Sequence, residues 1–173
     1  MSVSAITVTE YPKNESHVRN LTLLCNRILD VCTELEFSPV LSGSMAVFAY
    51  TKRRDFEVRD FDLSCPESYF TRLKAALKER SLAVTITDWH VLQVRDGELK
   101  VEFDSQEFWM AGLNRQTRFV DIYGMRLKII GYAALQALYR RGVKALLAAD
   151  DSLGHEKRAD LVEKIRILEL LTR

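Results

Sequence analysis

The sequence predicts an α+β (α/β) fold: a small mixed β-sheet with flanking helices, followed by a C-terminal helical segment. Three observations predict it. Apolar residues recur at helical spacing over 15–35 and again from Tyr132 onward. Short runs of alternating or β-branched character fill the middle of the chain. No repeat, low-complexity tract or flexible linker divides the 173 residues, so one domain with a helical extension accommodates them. The boundary is read at residue 130, with a core over 1–130 and a helical extension over 131–173.

The elements follow in order. Val18, Leu21, Leu24, Cys25, Ile28, Leu29 and Cys32 form one face of a long first helix. Residues 38–41 are a short extended entry into Gly43-Ser44, and 44–52 are apolar enough for a buried helix. Residues 56–63 alternate as a strand, with Phe61 and Leu63 on one face and Asp60 and Asp62 on the other. Pro66 sits at the start of a helix over about 67–80, whose inner side is Phe70, Leu73 and Leu77. Three β-rich runs follow (82–87, 89–95 and 99–104), the last two joined at Asp96-Gly97, a tight-hairpin dipeptide. Residues 119–123 and 126–130 flank Gly124 as a second small hairpin. Leu135, Leu138, Tyr139, Val143, Leu146 and Leu147 then mark a helix, and Gly154-His155 separates it from a last helix over 157–171.

Composition narrows the function classes. Hydrophobic residues make up 47% and charged residues 28%, ordinary values for a chain that builds its own core. No apolar run reaches the roughly 18 residues of a membrane span. The first residues lack a basic start followed by an apolar stretch, so a secretory signal is not expected and the Asn14-Glu15-Ser16 sequon is read as inert. Cys25, Cys32 and Cys65 have no metal-type spacing and read as small buried hydrophobes in a reducing cytoplasm. His17, His90 and His155 are scattered without triad or metal spacing. Net charge is +1 but uneven: residues 111–147 carry seven Lys/Arg against Asp121 alone, +6, a feature that suits a polyanionic partner or an ordinary basic surface.

The chemistry-bearing pattern lies in three places. Asp60 and Asp62, two apart on a strand, point the same way and can share one divalent ion or two ions about 4 Å apart. Their hard oxygens select Mg²⁺ or Mn²⁺. Gly43-Ser44 follows an apolar strand and opens a helix, where backbone N–H groups, the Ser44 hydroxyl and the helix dipole face an anion; Ser44 also reads as an ordinary N-cap. Glu102 lies between apolar residues on a later strand, with Asp104 as the alternative third acid. Three carboxylates on one sheet face repel one another, and a cation resolves that conflict.

The stretches "LSGS" (41–44), "DFDL" (60–63) and "VEF" (101–103) together resemble the signature of the nucleotidyltransferase superfamily typified by DNA polymerase β. The resemblance covers about residues 36–104. Fifteen residues separate Ser44 from Asp60, slightly more than the family spacing, and the insertion holds Lys52-Arg53-Arg54-Asp55, read as a substrate-facing loop. The tail, "FVDIYGMRLKIIGYAALQALYRRG" and "HEKRADLVEKIRILELL", is similar to the C-terminal part of small nucleotidyltransferases related to antibiotic-modifying enzymes and abortive-infection toxins. Tyr139 stands where that group has a phosphate-binding Lys, Arg140 and Arg141 follow it, and Lys157, Arg158 and Asp160 loosely match a later motif.

The resemblance implies transfer of a nucleoside monophosphate from an NTP to a hydroxyl with two Mg²⁺ (or Mn²⁺). Asp60 and Asp62 would hold the ion that bridges the triphosphate. Glu102 would help hold the second ion and assist deprotonation of the acceptor. Gly43, Ser44, Arg140, Arg141, Lys157 and Arg158 are the implied nucleotide-binding residues. The acceptor is left open among an RNA or tRNA end, a protein side chain and a small molecule, with a toxin of a toxin–antitoxin or phage-defence system among the roles. The alternative is a non-catalytic nucleotide-binding or protein-interaction module on the same fold.

Overall fold

A computed structural model of the chain describes residues 5–113, 116–148 and 154–170, of which 154–158 are described as helix backbone. The elements are β1 (Ile6–Val8), α1 (Glu15–Glu34), β2 (Val40–Ser42), α2 (Gly43–Thr51), β3 (Phe61–Cys65), a 3₁₀ turn (Glu67–Tyr69), α3 (Phe70–Glu79), β4 (Ala83–Thr87), β5 (Val91–Asp96), β6 (Leu99–Ser105), β7 (Thr117–Ile122), β8 (Met125–Ile130), α4 (Tyr132–Ala148) and α5 (Gly154–Leu170). The strands form one mixed eight-stranded sheet in the order β1-β7-β8-β2-β3-β6-β5-β4. This is the α+β architecture that the sequence predicts. No helix among the described residues is long and apolar enough to cross a membrane.

Strand alternation gives the central sheet two unlike faces. Leu41, Leu63, Phe103 and Leu92 lie in one register row, and all four are fully buried. Phe61, Val101 and Val94 continue that apolar face. Helix α1 packs against β6 and α3 against β4, and the two helices touch each other. Burying a Phe or Leu of this kind contributes about 1.5–3 kcal/mol each, so this face carries much of the fold's stability. The opposite face carries Asp62, Glu102 and Gln93 in one row, with Ser64 and Asp104 in the next. The sheet thus separates stability from chemistry by face.

Helix α2 connects β2 to that polar face. Residues 44–49 are buried all round, as an apolar helix enclosed by the sheet, α4 and α5 must be. It begins at Gly43 with Ser42 as its N-cap, so Ser44 is the second helical residue and not the cap. Helices α4 and α5 pack on each other closely enough that a Cβ at Gly142 would sit 3.2 Å from Leu161 Cδ1. That close approach accounts for a glycine inside α4.

Several expected boundaries move. Residues 56–60 are not strand, and β3 spans 61–65. Asn14 explains this: its side chain donates to the Val58 carbonyl at 2.7 Å and accepts from the Val58 N–H at 3.1 Å. The backbone that a sheet neighbour would satisfy is satisfied by α1's first turn instead. Strand β1 has no counterpart in the sequence reading, being three residues long. Helix α5 begins at Gly154, where a separating turn is expected, and Leu147 of the expected α4 stripe is 62% exposed. The Lys52–Asp55 segment is tied to the protein: Lys52 donates to the Thr7 carbonyl and Arg53 pairs with Asp55.

Candidate active site

Asp62 sits directly across from Glu102 on the parallel pair β3 and β6, and Asp60 precedes β3 by one residue. Each offers a carboxylate oxygen within 4.8 Å of the others. Asp104, two residues further along β6, pairs in register with Ser64, one row behind, and is not in that group. Geometry therefore selects Glu102 over Asp104 as the third member of the cluster. All three cluster residues are half-buried, and hard oxygen donors so arranged fit a divalent Mg²⁺ or Mn²⁺ ion.

The cluster's electrostatics point the same way. Burial pushes the Asp62 carboxyl well above the usual carboxylate range, and the charges of Asp60, Asp104 and Glu102 push it further. Lys164 acts against them. One ammonium is already inside the cluster: Lys100 Nζ lies 2.8 Å from Asp60 Oδ2 and 3.0 Å from Glu102 Oε1. Burial lowers the Lys100 pKa, but the two carboxylates outweigh it and hold the side chain charged. Gln93, directly opposite Glu102 on β5, donates to the same Oε1 at 2.6 Å.

The turn between β2 and α2 is shaped around Asp62. Gly43 has φ +63°, and a Cβ there would lie 1.7 Å from Asp62 Oδ2. Only glycine permits the carboxylate to approach the first residue of α2. Ser42 pairs in register with Asp62, and its hydroxyl donates to the Asp62 carbonyl at 3.3 Å. Ser44 is 3% exposed, in the first turn of the same helix.

The C-terminal helices supply a second group of residues. Tyr139 of α4 is buried, its hydroxyl has no hydrogen-bond partner among the described residues, and Asp62, Asp160, Asp60 and Asp104 add to the effect of burial in raising its pKa. Lys164 of α5 has its side chain 14% exposed, with Nζ 2.6 Å from Asp160 Oδ2 and 5.9 Å from the Tyr139 ring centre.

Of the cations that the sequence nominates, Arg140 and Arg141 have their partners described. Arg141 donates to the carbonyls of Trp109 and Ala111, at 2.6 and 2.8 Å, and ties α4 to the segment after β6. Arg140 is exposed and pairs with Glu169. The side chains of Lys157 and Arg158 lie outside the described residues. Lys100, Gln93 and Lys164 are additions. Lys100 was discoverable, since it stands two residues before Glu102 on one strand and alternation puts both on one face. Asp160 and Lys164 are an i, i+4 pair, a spacing that reads as an ordinary surface ion pair.

No family model matches the chain, and no curated protein sequence matches it. Solved structures do. The antibiotic-resistance factor ANT(2'')-Ia aligns over 91% of this chain and 92% of its own, with a TM-score of 0.60 at 17% identity. The lincosamide antibiotic adenylyltransferase LnuA aligns over 84% of this chain and 94% of its own, with a TM-score of 0.54 at 13% identity. An antigenic nucleotidyltransferase-like protein from Paracoccidioides brasiliensis aligns over 94% of this chain and 79% of its own, with a TM-score of 0.54 at 11% identity. The chain has the fold of these nucleotidyltransferase structures.

Proposed function

We propose that this chain is a divalent-metal-dependent nucleotidyltransferase that moves a nucleoside monophosphate from an NTP to a hydroxyl of a small-molecule acceptor. The observation that carries the reading is the Asp60–Asp62–Glu102 cluster, set beside the glycine turn at the start of α2. Asp60 and Asp62 hold Mg²⁺ or Mn²⁺, with Glu102 as the third ligand. When bound, the ion neutralises charge that develops on the transferred phosphoryl group. The chain's own contribution is placement: Gly43 lets Asp62 stand at the helix N-terminus, and Gln93 fixes the Glu102 carboxylate. Because Glu102 Oε1 accepts from Gln93, Glu102 fits a held ligand better than a free base.

The N-terminus of α2, with Gly43 and Ser44, is the site for the phosphates. Lys164 is the favoured cation from the C-terminal helices, since its positive charge acts on Asp62. A cleft of about 410 Å³ is lined in part by Val40, Tyr69, Gln106, Met110 and Lys128, and none of the three carboxylates lines it. Val40 and Lys128 share a register row with Ser64, two residues along β3 from Asp62, roughly 7 Å along the strand. Two structural neighbours are named for antibiotic acceptors, one bound to adenylyl-2''-tobramycin and one to lincomycin. The basic residues of 111–147 that are described are spread over β7, β8 and α4, with Arg126 stacked on Phe119.

The test is incubation with α-labelled NTPs, Mg²⁺ and cell extract. A labelled small molecule is the expected product, and labelled RNA or protein would move the acceptor to the other classes. Full transfer by the Asp60→Asn, Asp62→Asn double variant would overturn the reading. Mg²⁺-dependent nucleotide binding without any labelled product would make the chain a binding module.

A further inference from the structure

The Lys100 ammonium occupies the space between two of the three carboxylates. It touches Asp60 Oδ2 and Glu102 Oε1, with side-chain exposures of 24% for Lys100, 20% for Asp60 and 17% for Glu102. This is no surface pair of the kind that contributes little. Strand geometry permits the placement, because Lys100 and Glu102 are two apart on β6 and project from the same face. The charge balance explains why a cation is needed there. Asp60, Asp62 and Glu102 lie together with Asp104 one row behind, and Lys100 is the cation that contacts two of them directly.

We propose that Lys100 is a tethered counter-cation that keeps the carboxylate cluster assembled before metal binds, and that an incoming divalent ion must displace it. The inference rests on the metal-dependent reading above and adds what sets the affinity of that site. An ion held by Asp60 and Glu102 needs the carboxylates that the ammonium engages, and an ammonium beside a divalent cation is repelled. Lysine suits such exchange, being a point charge on a flexible four-carbon stem, with none of the fixed fork of arginine. Lys100 thus trades resting-state stability against metal affinity. Metal and ammonium stabilise the same group of acids, and only one can do so at a time.

The experiment is a Mn²⁺ titration without nucleotide, followed by the paramagnetic signal of free Mn²⁺, on the full chain and its Lys100→Met and Lys100→Gln variants. Thermal melting is recorded with and without Mn²⁺. Both variants are expected to bind Mn²⁺ on the order of tenfold more tightly than the parent chain, by loss of a competing like charge. Without metal they melt at lower temperature than the parent, and Mn²⁺ raises their melting temperature by more. If a variant does not fold without metal, its refolding yield across a Mn²⁺ series gives the same comparison. Equal or weaker Mn²⁺ binding in both variants would overturn the role of Lys100 while leaving the metal site intact. Absence of Mn²⁺ binding in all three proteins would overturn the metal-dependent reading and the Lys100 role with it.

Discussion

Asp62 and Glu102 face each other across β3 and β6 in direct parallel register, so two carboxylates are held side by side by backbone pairing. Burial holds the Asp62 carboxyl above its ordinary range, and Asp60, Asp104 and Glu102 add to this. A raised acid favours the fold below the unfolded carboxylate range, and that contribution is lost as pH rises through the raised value. At neutral pH the metal-free chain therefore carries a cost that Asn would not. Asp62→Asn is expected to raise the melting temperature of the metal-free protein, by about 2–4 °C for each kcal/mol relieved. Nucleotidyl transfer should fall by a factor on the order of 10²–10³ or more. Calorimetry and a transfer assay on one preparation check both halves.

Gly43→Ala should damage the fold and the site together. The alanine Cβ would lie 1.7 Å from Asp62 Oδ2, in a backbone conformation with φ +63°. The conformational strain alone costs about 1–3 kcal/mol, and Asp62 must also move. Reduced thermal stability with loss of Mn²⁺ binding is expected. Unchanged Mn²⁺ affinity in Gly43→Ala would show that Asp62 does not depend on this close approach.

The apolar face and the acids were legible in the sequence because a strand repeats every two residues. Phe61/Leu63 against Asp60/Asp62, and Val101/Phe103 against Glu102/Asp104, announce two-faced strands without any knowledge of their neighbours. That β3 and β6 are adjacent is a long-range fact, and it is what chooses Glu102 over Asp104. Residues 56–60 misled because local alternation cannot reveal that Asn14 satisfies the Val58 backbone from 44 residues away. Arg140 and Arg141 could not be told apart for a related reason. Arg140 and Arg141 look equivalent in sequence, yet helical rotation sends one to Glu169 and the other to the carbonyls of Trp109 and Ala111.

That divergence gives a paired prediction. Arg141→Ala removes the donor for two carbonyls and is expected to cost about 1–3 kcal/mol of stability. Arg140→Ala removes an exposed ion pair and is expected to change stability by less than about 1 kcal/mol. Neither should alter nucleotide affinity by more than about twofold if the phosphate cation is elsewhere, by titration calorimetry. A large affinity loss in Arg140→Ala would return it to the nucleotide site.

All three cysteines are buried, and burial pushes the Cys25 and Cys65 thiols up to about 12 and Cys32 higher still. The reactive thiolate is therefore suppressed at any ordinary pH. A thiol-specific chromogenic reagent at pH 8 should modify none of them in the native protein and all three in denaturant. Fast modification of one thiol in the folded state would identify a local opening around α1 or the end of β3.

Lys164 is the residue on which the nucleotide reading of the C-terminal helices turns. Its side chain is 14% exposed, its Nζ is 2.6 Å from Asp160, and its charge opposes the rise in the Asp62 pKa. Asp160 is half-exposed, so losing its partner leaves no sealed charge. Lys164→Met should consequently have little effect on folding. If the ammonium meets a phosphate oxygen, its loss removes one charge-assisted hydrogen bond, about 1.5–3 kcal/mol, and weakens nucleotide binding about 10–100-fold. A variant that binds nucleotide as tightly as the parent chain would assign Lys164 to holding α5 in place through Asp160 and Tyr139.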